Sequence, residues 1–330
     1  MKLFIKKSFF ISLPILIIAA CYIITDPYKK IWNYDNYACD YVMLNRGDVS
    51  TRVYLKNRGK YHYNSFIFGS SRSTANTSSE WRKYLPGGSM PYSYGSWSES
   101  IKGIYKKVAL IDSLGDKIDN AFIVVDDYTF TPHFSEEITT YDHYLISGDS
   151  KIMYHLRSFF SYLTNPLLIL TSIDYSIFHK KRGYMKDFVG MKPDDLDPVT
   201  NDWMVHSEET IKSDSIGYYK NCLHKFYPRS KEQLYYNRQI SREEEIYLLG
   251  INHIFQKHGT HFKIVIAPLY DQKKFNTEDL SLLRTIFDST NVFDFSGINA
   301  ITNDYHNYAS DAIHYRKKIG NLIFKEVYGK

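Results

Sequence analysis

The stretch NSFIFGSSRS, residues 64–73, decides how we interpret the rest of the chain. Its apolar run FIF ends at Gly69, and such a run closed by glycine predicts a buried strand followed by a tight turn. Residues 73–85 are then compatible with a helix whose N-cap is Thr77 or Ser78. A serine on a strand-to-helix turn lies where backbone N–H groups and the helix dipole favour negative charge. The turn therefore suits an acyl-transfer site, although Gly-Ser-Ser is also ordinary turn chemistry.

The composition is that of a folded protein and excludes one class of partner. A chain of 330 residues can hold one large α/β domain or two small ones. The net charge of +5 is mild, and the basic residues are scattered without forming a recognisable nucleic-acid module, so we exclude nucleic acid as a partner. The 30 tyrosines suit a surface that meets carbohydrate, lipid headgroups or protein, and additional core aromatics explain them equally well.

The N-terminal region predicts attachment to a membrane. Residues 9–25, FFISLPILIIAACYIIT, carry no charge and are close to the minimum length for a spanning helix. We interpret them as a transmembrane signal anchor after a cytoplasmic tail of residues 1–8. The lysines on the two sides slightly favour a cytoplasmic N-terminus. This orientation places the chain from Asp26 onward outside the cytoplasmic membrane.

The three cysteines leave two questions open. Ile-Ala-Ala-Cys at residues 18–21 loosely resembles a lipoprotein processing box with Cys21 as the lipidated residue, but the apolar run continues beyond it. Cys39 and Cys222 are able to pair in an oxidising compartment, and two isolated thiols are just as compatible with the sequence.

Beyond the anchor, the pattern of short apolar runs and helices predicts an α/β fold with a parallel sheet. Residues 26–60 resemble a stalk, and residues 61–330 a domain with a mainly helical insertion at about 135–228. Expected strands lie at residues 66–68, just after Met90, and at 121–125, 262–267 and 291–295; expected helices lie at 98–114, 151–163, 166–178 and 230–259. Ligands of such sheets bind at the carboxyl ends of the strands.

Near the C-terminus, Asp311 and His314 are three residues apart, just ahead of an amphipathic helix. A nucleophilic serine needs a base to accept its proton and a carboxylate to orient that base. Asp-x-x-His on one loop can supply both to Ser71. Taken singly, Asp311 as a helix cap and His314 as an exposed residue are the simpler interpretation, and only the combination with Ser71 favours catalysis.

In this order of motifs the sequence resembles the SGNH (GDSL-like) hydrolase superfamily, and specifically its membrane-anchored bacterial cell-envelope branch. FGSSRS at 68–73 resembles the first block with Ser71 as nucleophile, Tyr94-Gly95 the second, and DAIHY at 311–315 the last. DPY at 26–28 and VIAPLY at 265–270 also fit that branch. The resemblance implies a three-layer α/β/α fold. It also implies O-acylation or deacylation, in particular of acetyl groups, of an envelope polysaccharide, often beside a multi-pass membrane acyltransferase.

The same resemblance implies a mechanism and exposes a departure from it. His314, oriented by Asp311, would deprotonate Ser71, and the backbone N–H groups of Ser71 and Gly95 would stabilise the oxyanion. The family's third block usually adds an asparagine donor, whereas here the third strand ends in Asp126-Asp127. An ionised carboxylate accepts hydrogen bonds only and repels an oxyanion.

Other candidate sites are limited. Arg72 beside the nucleophile would bind an anionic substrate or form a surface salt bridge, and Asp126 and Asp127 would serve the acceptor or the structure. His253, His258 and His261 are not spaced to share one helical face, so we predict no metal site. No glycine loop suited to phosphate is present, and we predict no cofactor.

Two functions compete at this stage. The first is a serine O-acyltransferase or esterase using Ser71, Asp311 and His314. The second is a catalytically weak or inactive SGNH-fold protein that binds polysaccharide within an envelope assembly. The aspartates at the third block favour the second function, and the complete serine and Asp-x-x-His motifs favour the first.

Overall fold

The computed structural model describes residues 2–131, 142–186, 188, 190, 192, 195–204, 207–309 and 311–329, with side chains from residue 12 onward. The chain divides into two compact units. The first comprises Met1–Leu44 and Gly148–Leu196, and the second comprises Asn45–Ser147 and Asp197–Lys330. The sheet and all predicted catalytic residues belong to the second unit.

A parallel five-stranded sheet forms the centre of the second unit, which confirms the predicted α/β class. In the described residues its strands are β1 (Ser65–Gly69), β2 (Pro91–Ser93), β3 (Asn120–Val125), β4 (His261–Ile266) and β5 (Val292–Asp294). The spatial order is β2-β1-β3-β4-β5, and every neighbouring pair is parallel. Every residue of β1 and β3 is buried, which explains why these strands are continuous apolar runs without polar alternation.

The strand register brings the ends of the central strands to one edge of the sheet. Gly69 at the end of β1 is level with Val124 of β3, and Val125 is level with Ile266 of β4. The chain therefore leaves β1, β3 and β4 at the same edge, where the residues that follow each strand are neighbours.

Twelve α-helices occur in the described residues. They are α1 (Lys2–Thr25), α2 (Arg46–Tyr61), α3 (Ser78–Trp81), α4 (Ile101–Ser113), α5 (Tyr144–Ser147), α6 (Lys151–Leu163), α7 (Pro166–Phe178), α8 (Ser207–Ser213), α9 (Ser215–Cys222), α10 (Arg242–His258), α11 (Thr277–Phe287) and α12 (Lys317–Tyr328). The helices α6 and α7 have the predicted bounds. Parts of the predicted insertion, residues 135–141, 187, 189, 191, 193–194 and 205–206, lie outside the described residues.

Three predicted helices differ from those observed. The helix expected at 98–114 is α4 and begins only at Ile101, because Ser100 is its N-cap. The single helix expected at 73–85 consists of a 3-10 helix at Ser71–Ala75, then α3, then a second 3-10 turn at Arg82–Tyr84. The helix expected at 230–259 begins only at α10, because Ser241 and Glu244 form a capping box that fixes its start.

The C-terminal helix α12 is part of the core of the second unit. Its apolar face buries Ile319, Ile323 and Val327, as its spacing predicts, while Leu322 stays partly exposed. This face lies in one apolar cluster with Trp81 of α3 and residues of β3 and β4. The packing holds the loop that precedes α12 close to the sheet.

The N-terminal residues form the helix α1. None of the helices in the described part of the chain combines the length and apolarity needed to cross a membrane. The anchor at residues 9–25 stays a prediction from the sequence. Cys21, Cys39 and Cys222 are all free thiols.

Candidate active site

Ser71 lies on a sharply constrained turn directly after β1. Gly69 has φ 151°, and a Cβ atom there would lie 2.8 Å from the carbonyl oxygen of Val124, so only glycine fits. Ser70 caps the following 3-10 helix by accepting a hydrogen bond from Arg72 N, and Ser71 is the first residue of that helix. Ser73 N also donates to Ser70 O, so the backbone N–H of Ser71 is the donor that this turn offers to a ligand.

The structure brings Ser71, His314 and Asp311 into one hydrogen-bonded chain. The distance from His314 Nε2 to Ser71 Oγ is 2.8 Å, and that from His314 Nδ1 to Asp311 Oδ2 is 2.8 Å. The geometry is that of nucleophile, base and orienting carboxylate. All three side chains are partly exposed, so a substrate can reach them.

The carboxylate fixes the proton arrangement of the imidazole. An ionised Asp311 only accepts hydrogen bonds, so a neutral His314 donates its Nδ1–H to it and leaves Nε2 to accept from Ser71. Burial raises the pKa of Asp311, but its hydrogen bonds with His314 and with the Ile313 and His314 amides outweigh burial and hold that pKa below the ordinary value. The carboxylate therefore stays charged.

Short local contacts position the loop that carries Asp311 and His314. The Asp311 carboxylate accepts from the backbone N–H groups of Ile313 and His314, at 3.0 and 2.9 Å, which curls the loop into an Asx turn. Tyr315 donates its hydroxyl to Asn76 Oδ1 at 2.6 Å, and Asn76 in turn donates to Gly320 O. These bonds tie the loop and α12 to the segment that follows the Ser71 turn.

Gly95, the predicted second oxyanion donor, follows β2 and lies against the Ser71 turn. Its neighbours anchor the peptide there, since Tyr94 N donates to Ile67 O and Ser96 N donates to Gly69 O. A Cβ atom on Gly95 would approach Gly69 O to 2.9 Å, so a side chain would displace one of the two segments. The close approach is consistent with a backbone N–H presented beside the nucleophile.

A cleft of about 180 Å³ opens in front of the three residues. Ser71, Asp311 and His314 line it, together with residues that the sequence analysis did not single out, above all Trp97 and Trp203. The two indole rings lie edge to face with centroids 4.1 Å apart. Arg72, Gly95, Asp126 and Asp127 are not among its lining residues.

Trp203 reaches the cleft from a loop fastened to the edge of the sheet. Asn201 donates its amide to Ser93 O of β2 at 2.5 Å, and Asp202 accepts from Ser78 N at the start of α3. Nothing in the chain order links this loop to Ser71, so the sequence offered no signal for Trp203. Trp97, only two residues after Gly95, was within reach of the motif argument.

The far wall of the cleft is charged. Arg316 forms an ion pair with Glu208, at 2.7 Å between Arg316 Nη2 and Glu208 Oε2, and both side chains line the cleft beside Lys317. The Arg316–Glu208 pair is largely shielded from water. Because this pair is neutral as a unit, Lys317 supplies the net charge of this wall, which is positive.

Arg72 and Asp126 form an ion pair with each other. Arg72 Nη1 lies 2.6 Å from Asp126 Oδ2, and both side chains are buried. Asp126 also caps the turn Asp127–Phe130 through a capping box with Thr129. Arg72 thus forms a salt bridge, but a buried one between the ends of β1 and β3 and not the surface bridge that the sequence suggests. Binding of substrate by Arg72 or Asp126 stays a prediction.

Asp127 is in a different situation. Its Oδ1 atom is buried and has no hydrogen-bond partner among the described residues. Burial, and then the negative charge of Asp126, raise the pKa of Asp127 to about 6, although Arg72 opposes the shift. A carboxyl group with this pKa is partly protonated near neutral pH and can then donate a hydrogen bond, which an ionised aspartate cannot.

No group of three or more His, Cys, Asp or Glu side chains in the described part of the chain is arranged to hold a metal ion. Comparison with known proteins adds no identity, since no family model matches the chain and no curated protein matches it significantly.

Proposed function

We propose that the protein is a serine esterase or O-acyltransferase that works through an acyl intermediate on Ser71. The observation that carries the proposal is the hydrogen-bonded chain from Ser71 through His314 to Asp311, at 2.8 Å per step, in an open cleft. Isolated Asp–His contacts are common on protein surfaces. A serine hydroxyl at the remaining imidazole nitrogen is what distinguishes this one.

In the first half of the reaction, His314 Nε2 accepts the Ser71 proton while Ser71 Oγ bonds to the carbonyl carbon of the acyl donor. The electron pair of the C=O bond moves to oxygen. When that oxyanion collapses, the bond to the leaving group breaks and the leaving group takes the proton from His314. Asp311 stabilises the imidazolium form throughout and is not itself protonated.

In the second half, a hydroxyl group or water replaces the leaving group. His314 takes the proton of the incoming oxygen, which attacks the acyl carbon, and the proton then returns to Ser71 Oγ as the ester bond to the serine breaks. A sugar hydroxyl as the acceptor gives acyl transfer, and water gives hydrolysis. The Trp97–Trp203 pair lining the cleft supports a sugar acceptor, because aromatic faces stack on the apolar faces of pyranose rings.

The backbone N–H groups of Ser71 and Gly95 would stabilise the oxyanion, and a protonated Asp127 is a candidate for the third donor. Support for the first two comes from their places at the ends of β1 and β2. Support for Asp127 comes from its place after β3, at the same edge of the sheet as Ser71, and from its raised pKa, although its side chain is buried and does not line the cleft. A protonated carboxyl would then replace the asparagine that the resemblance implies.

We further propose that the second unit is an SGNH-like three-layer α/β/α domain, tethered to the extracytoplasmic side of a bacterial inner membrane. The motif order and the sheet order β2-β1-β3-β4-β5 support the fold, and the uncharged residues 9–25 support the tether. The substrate would be an envelope polysaccharide, and the acyl group that is added to or removed from its hydroxyl groups would preferentially be acetyl. A multi-pass membrane acyltransferase would be the partner that delivers the acyl group.

One specific observation favours the competing function, a catalytically weak or inactive binding protein. Two carboxylates, Asp126 and Asp127, stand where the resemblance implies an amide donor. Loss of one oxyanion donor costs about 10²–10³-fold in rate. If Asp127 stays ionised during turnover, the site would be a poor catalyst on an otherwise complete scaffold.

The deciding experiment measures hydrolysis of a chromogenic acetyl ester by the purified full-length chain and by its Ser71→Ala variant. We expect the wild type to release the chromophore and to be labelled on Ser71 by a serine-directed fluorophosphonate. Ser71→Ala abolishes both signals. Ser79→Ala, an exposed serine on the same segment, is the matched control and retains both.

A folded wild-type protein with neither ester hydrolysis nor labelling would reject the catalytic proposal in favour of the binding protein. Hydrolysis that survives Ser71→Ala would reject Ser71 as the nucleophile. Mass spectrometry of a trapped acetyl group on Ser71 separates the covalent intermediate from direct attack by water.

A further inference from the structure

Within the first unit, the helical hairpin of α6 and α7 exposes apolar side chains, whereas a hairpin of a soluble protein ordinarily buries them. Large apolar side chains face outward on both helices. On α6 these are Ile152, Met153, Leu156 and Phe160; on α7 they are Leu167, Leu170, Ile177 and Phe178. Ile152 is 73% exposed and Phe160 56% exposed. Contiguous exposed apolar surface of this kind marks a contact with membrane or protein.

The inward faces of the same helices are polar. The buried residues of α6 are Tyr154, Ser158 and Tyr162, and those of α7 are Thr171, Ser172 and the apolar Leu168, so five of the six carry a hydroxyl group. The hydroxyl groups of Tyr162 and Ser172 lie 2.8 Å apart and bond across the two helices. Hydroxyl side chains at the helix interface and aliphatic side chains outside are the pattern that a lipid environment selects.

The charged side chains within the two helices lie at the base of the hairpin or are paired with a residue there. Arg157 is paired with Asp149 just before α6, and Asp174 is paired with Arg182 just after α7. Lys180 and Lys181 follow the last residue of α7 and are exposed. The turn at the opposite end is formed by Thr164 and Asn165, whose side chains bond to backbone groups of the helices themselves. Basic residues at one end suit anionic lipid headgroups.

The hairpin also contacts the end of the helix that the sequence predicts as the anchor. The Tyr22 ring of α1 packs against the rings of Phe159 and Tyr162 at 5.6 and 5.3 Å. Next to it on α1, Ile24 is 78% exposed, so the outward apolar surface continues from α7 and α6 onto α1. The Tyr28 hydroxyl lies 3.0 Å from Ser161 Oγ and closes the contact on the polar side.

We propose that the α6–α7 hairpin is a second membrane-binding element, which inserts its outward apolar faces into the lipid bilayer beside α1. Each helix is about 20 Å long at 1.5 Å per residue, shorter than the hydrocarbon core of about 30 Å. The hairpin therefore enters one leaflet and does not cross the membrane. The end of the hairpin that carries Lys180 and Lys181 stays among the lipid headgroups.

Two observations favour lipid over a protein partner. The outward residues lie on both helices and on α1, so the exposed apolar surface extends over three helices, whereas a docking helix would need one groove. The hydroxyl groups of Tyr162 and Ser172 are bonded to each other inside the bundle, although Thr171 Oγ1 has no hydrogen-bond partner among the described residues. The proposal does not depend on the chemistry of Ser71, which belongs to the second unit.

The test uses the full-length chain in vesicles of phosphatidylethanolamine and phosphatidylglycerol. Cys21, Cys39 and Cys222 are replaced by alanine, and single cysteines are introduced by Phe160→Cys, Leu170→Cys or Ile216→Cys. Each carries an environment-sensitive fluorophore. Ile216 on α9 is the matched control, because it is an apolar side chain even more exposed, at 86%, but lies in the second unit.

We expect the emission of the labels at positions 160 and 170 to shift to shorter wavelength. Lipids with brominated acyl chains should quench most of this emission, and aqueous iodide should quench little of it. The label at 216 should show the reverse. Equal quenching of all three positions by iodide would overturn the proposal. Protection at 160 and 170 from both quenchers would also overturn it and point to a protein partner or a second copy.

A second measurement covers the case in which the cysteine-free chain does not fold. A photoreactive benzophenone side chain at position 160 or 170 of the otherwise unchanged protein is irradiated in the same vesicles. Cross-linking to phospholipid supports the proposal. Cross-linking to protein alone, or no cross-linking at all, rejects it.

Discussion

His314 Nε2 lies 2.8 Å from the hydroxyl oxygen of Ser71, although the two residues are 243 positions apart in the chain. The contact depends on two separate pieces of structure. One is the glycine turn that ends β1, and the other is the loop that α12 holds against the core. The hydrogen bond from Tyr315 to Asn76 couples the two pieces directly. The distance between His314 and Ser71 is therefore fixed by packing of the core as well as by the loop itself.

Asp311→Asn should lower kcat for ester hydrolysis by about 10³–10⁴-fold while leaving the protein folded. An asparagine amide can donate to His314 Nδ1, which favours the tautomer whose Nε2 already carries a proton and cannot act as a base. Steady-state kinetics on the chromogenic ester gives the result. The matched control is Asp304→Asn, since Asp304 also contacts a histidine, His306, at 2.8 Å, but on the exposed surface. An equal loss in both variants would contradict the assignment.

Asp126→Asn should destabilise the fold by about 3 kcal/mol or more, because Arg72 would remain charged and buried without its partner. Urea unfolding monitored by fluorescence measures the difference. The exposed pair of Lys83 and Glu80 supplies the control, where Glu80→Ala should change stability by no more than about 0.5 kcal/mol. If Asp126→Asn leaves stability unchanged but raises KM for an anionic ester, the pair serves substrate binding and not structure.

Much of this fold is predictable from local sequence. The apolar runs of β1 and β3 and the bounds of α6 and α7 were all predicted, because a buried strand or a capped helix is specified by its own residues. The start of α10 was missed by twelve or so residues, roughly three turns. The capping box of Ser241 and Glu244 that sets it was readable in the sequence.

Only those residues of the candidate site that lie in sequence motifs could be predicted. Ser71, Asp311 and His314 stand in motifs, and their contact then follows from a parallel sheet. Trp203 and the partnership of Arg72 with Asp126 depend on which strand ends lie side by side, and on a loop bonded to the edge strand β2. Such contacts are properties of the tertiary structure, and no local sequence pattern predicts them.

Trp97→Ala and Trp203→Ala should each reduce kcat/KM for a carbohydrate ester by about 5–100-fold, the equivalent of roughly 1–3 kcal/mol of lost ring contact. Both indoles line the cleft, and removing one also leaves the other without its edge-to-face partner. For a small acetyl ester without a sugar, the reduction should be less than about threefold. The comparison of the two esters by kinetics is the measurement. Tyr235→Ala, an exposed aromatic outside the cleft lining, should affect neither. Equal losses on both esters would place the tryptophans in the structure of the site and not in acceptor binding.

Asp127→Asn should make the protein more stable above pH 6 and no different at low pH. Burial raises the folded-state pKa of Asp127 from 3.8 to about 6. Between these two values the folded protein binds the proton more tightly than the unfolded chain does, so the wild type loses stability as the pH rises through this window. Asparagine does not titrate and avoids the loss, which a shift of this size puts at roughly 2–3 kcal/mol. Urea unfolding of both proteins at a series of pH values from about 4 to 8 tests the prediction. Parallel stability curves across that range would show that Asp127 is ionised at no cost, and would remove it as a candidate hydrogen-bond donor to the oxyanion.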